Sequence, residues 1–296
     1  MKTKSALIIG SDGLVGAGVL RLFRAKGVDT YATTRRRPLH SSDIFLDLSD
    51  RDLAKAELPQ TEVAIICAAA NGFAHCRSNP EMAKRVNADA PLVLARKLSP
   101  RGTRVIYLSS SAVFDFSRPH MAAQSQHCPS TIYGKFKAMG EEGVLSVGQR
   151  ATIVRLTKVL TPDMHLFRNW IDKLHSGKNV QAFSDLYFCP ISLDYATNAL
   201  LAITEAGLQG TVHVSGADDI SYFKAALRIA TRMEVDDSRI IEDRAAARGT
   251  PPEEIARFTS LDSSRYTALT GELPPQPIDV LDEVYGPAIA RAAAAQ

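Results

Sequence analysis

Tyr133 and Lys137, four residues apart in Tyr133-Gly-Lys-Phe-Lys137, are the residues of this sequence best placed to move a proton. On a helix that spacing sets both side chains on one face. A phenol alone titrates near pH 10, and a nearby ammonium favours the phenolate. The pair is therefore expected to exchange a proton near neutral pH. Tyr-x-x-x-Lys also occurs as a plain exposed helix pair, so its chemistry depends on what else the chain brings to it.

The apolar run Ala6-Leu7-Ile8-Ile9 is followed at once by Gly10-Ser-Asp-Gly13-Leu-Val-Gly16. The run reads as a buried parallel strand. Leu14 to Lys26 reads as a helix, with apolar residues at Leu14, Val15, Val19, Leu22 and Phe23 and a stop at Gly27. Strand, glycine turn and helix form the opening unit of a dinucleotide-binding fold, where backbone approaches pyrophosphate at a helix N-terminus. The spacing is G-x-x-G-x-x-G, and an ordinary strand-to-helix turn is the plainer alternative. A further strand, Thr103–Ser109, runs into the triplet Ser109-Ser110-Ser111, about 23 residues before Tyr133. Serines at a strand's C-terminal end often form a turn. In an open α/β sheet that end is also where ligands bind, and a hydroxyl there can hold a carbonyl oxygen.

With these pieces together the chain resembles the extended short-chain dehydrogenase/reductase family over nearly its whole length. Gly10–Gly16 matches the family's cofactor loop, Ala68-Ala69-Ala70-Asn71 its loop after the fourth strand, Ser109–Phe114 its serine motif and Tyr133–Lys137 its catalytic pair. Within the family it looks most like the dTDP-4-dehydrorhamnose reductase group, through Tyr133–Glu141, Val86-Asn87 after Pro80-Glu81, Val154-Arg155-Leu156, Pro190–Ala196 and Ser260–Ser264. The resemblance implies Tyr133 as proton donor, Lys137 as the group that holds ribose hydroxyls and lowers the phenol's pKa, and Ser110, three residues before Val113, as the hydroxyl orienting the carbonyl. Ser111 is the alternative to Ser110. It also implies that Gly10, Asp12, Gly13, Leu14, Val15, Gly16, Ala68, Ala69, Ala70 and Asn87 serve the cofactor. Asp47-Leu48 resembles the adenine-contacting pair, although an Asp there could equally cap the next helix.

An NAD-specific fold ends its second strand in an acid that binds the ribose 2′-OH, whereas an Arg suits a 2′-phosphate. Here that strand ends in Thr34-Arg35-Arg36-Arg37, with no acid. Guanidinium groups pair with phosphate as a fork. NADP(H) is therefore expected, with Arg35 and Arg36 as contacts and Thr34 adding a hydroxyl; NAD(H) is the alternative, and a solvated arginine loop the plain one.

The expected reaction is reduction of a keto group on a nucleotide-activated sugar. The serine motif lacks the Asp-Glu pair of nucleotide-sugar dehydratases, having Ser110-Ser111-Ala112. Lys158 stands three residues after Arg155, a position that in the enzymes the chain resembles often faces the sugar; it could meet a phosphate or carboxylate there, or could turn to solvent. Asn71 and Arg168 are further substrate candidates. Two alternatives are a 4-epimerase with tightly held NAD, against which the arginines weigh, and a non-catalytic NADP-binding regulatory subunit, whose signature would be loss of Tyr or Lys.

The elements that must position these groups alternate. Strands are expected near 5–10, 28–33, 43–46, 63–68, 103–109 and 151–156, and helices near 14–26, 50–57, 80–98 and 131–147. That order argues for an α/β fold, a doubly wound parallel Rossmann sheet over residues 1–160, with a returning segment near 184–215. Residues 161–296 read as mainly a smaller substrate-binding lobe, with helices near 165–176, 192–206 and 220–233 and strands near 179–183 and 211–214. The Ala-rich end, 288–296, reads as a frayed helix or disordered tail. At 296 residues the chain suffices for this plan, and a net charge of +3 is too small to imply nucleic-acid binding. No apolar run reaches a membrane span of about 18 residues, and no signal peptide is evident. Four cysteines without a C-x-x-C and scattered histidines argue for free thiols in the cytoplasm and no metal. A homodimer is expected from the resemblance alone.

Overall fold

The computed structural model describes residues 3–36 and 43–294; Arg37 lies outside them. Seven strands form one parallel sheet: β1 (Ser5–Ile9), β2 (Asp29–Thr34), β3 (Asp43–Phe45), β4 (Val63–Ile66), β5 (Arg104–Ser110), β6 (Ala151–Leu156) and β7 (Gly210–Val214). Their order is β7-β6-β5-β4-β1-β2-β3, all pairs parallel. The chain reverses direction across the sheet between β1 and β4, and the crevice beyond their carboxyl ends is the natural ligand site. The central strands read as unbroken apolar runs because both faces are covered. Leu7, Ile8 and Ile9 and all of Val63–Ile66 have no exposed surface. Each such side chain contributes roughly 1.5–3 kcal/mol on burial.

On one face Ile8, Ile65, Ile106 and Val154 pack against Val19 and Phe23 of the helix Leu14–Ala25 and Ala196, Ala199 and Leu200 of the helix Leu193–Ala206. On the other, Leu7, Ile9, Ala64 and Tyr107 meet Leu94 and Leu98 of the helix Ala90–Leu98 and Val144 of the helix Ile132–Leu145. A second core joins Phe167, Trp170 and Leu174 of the helix His165–His175 to Ala226 and Ile229 of the helix Tyr222–Arg232 and to Val280, Leu281 and Tyr285 of the helix Pro277–Ala294. Trp170 is buried there, with its ring edge-on to Phe167 at 5.1 Å.

Several elements differ from expectation. Residues 50–57 make only a 3-10 turn, Leu53–Lys55. Asp47 Oδ1 accepts from Ser49 N at 2.8 Å and Asp50 Oδ1 from Asp52 N at 2.9 Å, so side chains take the amides a helix would need. The segment 80–98 is helical but contains a π-turn, Arg85–Asp89, and is preceded by a short helix, Phe73–Ser78. The Ala-rich end is helical as far as Ala294, and residues 295–296 lie outside the described residues. It finishes an 18-residue helix, Pro277–Ala294, whose earlier turns are held in the second core.

Candidate active site

Tyr133 and Lys137 lie on the helix Ile132–Leu145. Its start is fixed by Thr131, whose Oγ1 accepts from Gly134 N at 3.0 Å. A Cβ at Gly134 would overlap the Ala112 carbonyl oxygen, so this glycine lets the helix rest directly on the 3-10 turn Ser111–Val113. That turn follows β5, and Ser110 Oγ caps it by accepting from Ala112 N at 3.2 Å. Helix and strand end thus bring Tyr133 and Ser110 together.

They line one cleft of about 700 Å³ with Lys137. Gly10, Asp12, Gly13, Leu14, Val15, Arg35, Arg36, Asp47, Leu48, Ala68 and Ala69 line it too, as do Asn71 and Lys158. The glycine loop is tied to β2 by Gly10 N donating to Thr33 Oγ1 at 3.1 Å and Ser11 N to Thr33 O at 3.0 Å. Gly10 sits at φ +83°, and a Cβ at Gly16 would overlap the Gly10 carbonyl. Gly16 is therefore a packing residue beneath the turn and not part of the cleft wall.

Other candidates also act from behind the wall. Thr34 is buried; its Oγ1 donates to Asp12 Oδ2 at 3.2 Å and accepts from Arg36 N at 3.0 Å. Arg36 Nε stands 3.6 Å from the same Asp12 oxygen, while its side chain stays largely exposed. Asn87 is fully buried in the π-turn and grips the Ala70 peptide from both sides, Oδ1 accepting from Ala70 N at 3.0 Å and Nδ2 donating to Ala70 O at 2.9 Å. Tyr107 Oη donates to the Asn87 carbonyl at 2.6 Å. Asn87 and Ala70 thus shape the loop after β4 and do not face the cleft. Ser111 is buried in the turn, which leaves Ser110 as the cleft-facing hydroxyl. Arg168 is not in the cleft: it is exposed on the helix His165–His175 and faces Asp163 at 3.5 Å, because Phe167, Trp170 and Ile171 claim that helix's inward face.

The electrostatics correct the simplest view of the pair. Burial pushes the Tyr133 phenol up to about 12, the Ser110 hydroxyl pulling the other way. Lys137 is bonded to the strand beside it. Its Nζ donates to the Leu108 carbonyl at 2.5 Å and lies 3.9 Å from the Tyr107 ring centroid. Burial brings this ammonium down to about 7, opposed by the charge of Glu141. The phenol is protonated at neutral pH and the amine is poised to lose its proton.

Glu141, one turn beyond Lys137, belongs to a buried cluster that motif spacing did not single out. Arg155 Nε donates to its Oε1 at 2.9 Å and Arg155 Nη2 to its Oε2 at 2.6 Å. His127 Nε2 lies 2.8 Å from Glu141 Oε2. Burial alone would raise Glu141, but hydrogen bonds from His127 and Arg155 outweigh it and hold the carboxyl at about 2. His213 Nε2 meets Arg155 Nη1 at 3.1 Å, and burial brings this imidazole down to about 4. The available signal was Arg155 itself, a charge inside the apolar strand Ala151–Leu156. His75, Ser49 and Thr157 also line the cleft without a sequence signal.

Comparison with known proteins identifies the family of the chain. Residues 4–277 match the family model described as the RmlD substrate binding domain. The chain is 29% identical over 283 residues to a probable low-salt glycan biosynthesis reductase of Haloferax volcanii, covering 90% of this chain and 92% of that one. It is 27% identical over 282 residues to the dTDP-4-dehydrorhamnose reductase of Mycobacterium tuberculosis, covering 92% and 89%. The crystal structure of dTDP-4-dehydrorhamnose reductase from Bacillus anthracis in complex with NADP shares the fold, with a TM-score of 0.81 at 18% identity over 97% of this chain and all of that one. On these grounds the chain belongs to the RmlD substrate binding domain family and is an oxidoreductase of the extended short-chain dehydrogenase/reductase type.

Proposed function

We propose that the protein reduces a keto group on a nucleotide-activated sugar at the expense of NADPH. The observation that carries this reading is that Ser110, Tyr133 and Lys137, drawn from a strand end and a helix, share one cleft with the glycine turn and Arg35. The names of two relatives, a probable glycan biosynthesis reductase and a dTDP-4-dehydrorhamnose reductase, support the same reaction class.

The residues present fit the cofactor. The helix Leu14–Ala25 opens on the cleft with no side chain capping its first amides and no acid in its first turn, which suits a pyrophosphate. Gly13 is open to the cleft, and Arg35 and Arg36 stand at the end of β2, where a 2′-phosphate would lie. Asp12 already pairs with Arg36, which leaves Arg35 as the freer of the two guanidinium groups. Bound NADPH would supply the hydride.

The chain's own groups would manage the oxygen. Ser110 Oγ, held at the mouth of its turn, orients the carbonyl oxygen by donating a hydrogen bond. Tyr133 Oη, protonated at neutral pH, passes its proton to the oxygen as negative charge develops there. Lys137, with one N–H on the Leu108 carbonyl, would have two further donors for ribose hydroxyls, and its charge would offset the phenolate left behind. Phe73 and Phe116, with ring centroids 6.0 Å from Tyr133 and 6.2 Å from Phe73 respectively, form an aromatic wall that limits water beside the phenol.

The test is NADPH oxidation by the purified protein against a panel of keto-sugar nucleotides, followed for wild type, Tyr133→Phe and Ser110→Ala. Removal of the proton donor should cost on the order of 10²–10⁴ in kcat. Turnover by Tyr133→Phe at the wild-type rate ends the assignment of the phenol.

A further inference from the structure

The charges in the cleft are unevenly placed. Its lining acids, Asp12 and Asp47, both stand on the cofactor side and are engaged: Asp12 with Thr34 and Arg36, Asp47 with the Ser49 amide and hydroxyl. Lys137 is 1% exposed and committed to the Leu108 carbonyl. Lys158 is different. Leu156 is the register partner of Ser110 in the sheet, so Lys158 emerges two residues beyond the level of the reacting hydroxyl. Its backbone is fixed there, pairing with Pro190 and donating to the Cys189 carbonyl at 3.0 Å. Its ammonium reaches toward the second core, 5.9 Å from the Tyr222 ring centroid. Among the described residues it forms no ion pair, although it is half-buried and lines the cleft.

A half-buried ammonium gives up part of its hydration, and one aromatic face at 5.9 Å returns only a small part of it. A strand-anchored cation with no acid on its side of the cleft is matched by an anion that arrives with a ligand. We propose that Lys158 is a specificity-determining residue that binds an oxyanion of the substrate, from either a carboxylate on the sugar or the diphosphate. A lysine suits this as a compact point charge on a flexible stem, able to follow an oxyanion whose orientation changes during reaction. The inference rests on the reading of the cleft as a nucleotide-sugar site.

The experiment uses two nucleotide keto-sugar series on one nucleotide, one bearing a carboxylate on the sugar and the other a neutral substituent. Binding by calorimetry and NADPH oxidation are both measured for wild type, Lys158→Gln, Lys158→Glu and Lys158→Arg, with NADPH affinity as the control for folding. Lys158→Gln should weaken substrate binding roughly 10- to 100-fold, as for loss of a charge-assisted hydrogen bond, with kcat changed far less. Lys158→Glu should weaken it more, Lys158→Arg should restore much of it, and the salt dependence of KM should flatten in Lys158→Gln. A loss confined to the acidic series assigns the oxyanion to the sugar, and an equal loss in both assigns it to the diphosphate. Wild-type binding of both series by Lys158→Gln and Lys158→Glu, with NADPH affinity intact, overturns the proposal, as does failure of wild type to bind either series. Binding that depends on Lys158 without any NADPH oxidation would refute the reductase reading while leaving the oxyanion site standing.

Discussion

Replacing Arg155 by methionine would strand a carboxylate in the interior of the catalytic helix. Arg155 is 2% exposed and Glu141 has no exposed surface. The change removes both guanidinium bonds to Glu141, at 2.9 and 2.6 Å, and leaves the His127 ring beside the carboxylate. Breaking a buried pair from one side costs about 3–5 kcal/mol, a large part of a stability that is typically about 5–15 kcal/mol. The pH dependence tests the cause. Glu141 is held at about 2 against an ordinary 4.5. That depression corresponds to about 3 kcal/mol of stability. Because the folded value is the lower one, this stability is complete above pH 4.5 and is lost as the pH falls toward 2. In Arg155→Met burial dominates, the carboxyl rises, and it takes up a proton at a milder pH than in wild type. Urea unfolding of the two proteins should therefore show a gap of about 3–5 kcal/mol at pH 7 that narrows by pH 4–5. Adding Glu141→Gln to Arg155→Met should recover a good part of the loss. A gap below about 1 kcal/mol at pH 7, or one that stays constant as the pH is lowered, would refute the account of the buried pair.

Three further outcomes are expected. Lys137, brought down from 10.5 to about 7, keeps its charge below that pH and loses it above; kcat/KM should fall as the pH rises past about 7, and a profile level to pH 9 would show that this ammonium does not govern turnover. Arg35→Ala combined with Arg36→Ala should raise KM for NADPH on the order of 10- to 100-fold and leave that for NADH nearly unchanged, whereas parallel rises for both would mean that the guanidinium groups do not meet a 2′-phosphate. A Cβ at Gly140 would overlap the Asn87 carbonyl and crowd the Tyr107 hydroxyl that bonds it; Gly140→Ala should cost about 1–3 kcal/mol in chemical denaturation and loosen the Ala70 loop, and an unchanged midpoint would show that the π-turn yields freely.

Most of the framework was legible in the linear chain. Apolar runs such as Ala6–Ile9 and Val63–Ile66 read as buried strands because strands covered on both faces lose their polar alternation. Gly10, Gly13 and Gly16 marked a turn, and at Gly10 and Gly16 only that residue type tolerates the close backbone packing found there. Tyr133 and Lys137 stood out by type and spacing and Ser110 by the family resemblance, and the fold brings all three to one cleft. Failures came where side chains compete for backbone amides: Asp47 and Asp50 turned an expected helix into Asx turns, and an apolar face hidden in the second core held the Ala-rich end helical.

The tertiary structure decided everything that depends on what surrounds a side chain. Spacing put an amine one turn from a phenol, but burial sent Lys137 to the Leu108 carbonyl and raised Tyr133 instead of lowering it. Asn87 and Thr34 had the right types for ligand contacts, yet the fold faced them onto Ala70 and Asp12. Arg168 turned to solvent because its helix spends its apolar face on the second core, while Lys158 came to line the same cleft as Ser110 through a strand register that no local pattern contains. A sequence specifies which groups can ionise and which segments can pair; desolvation and neighbouring charge, set by contacts far apart in the chain, determine which of them do so at a given pH.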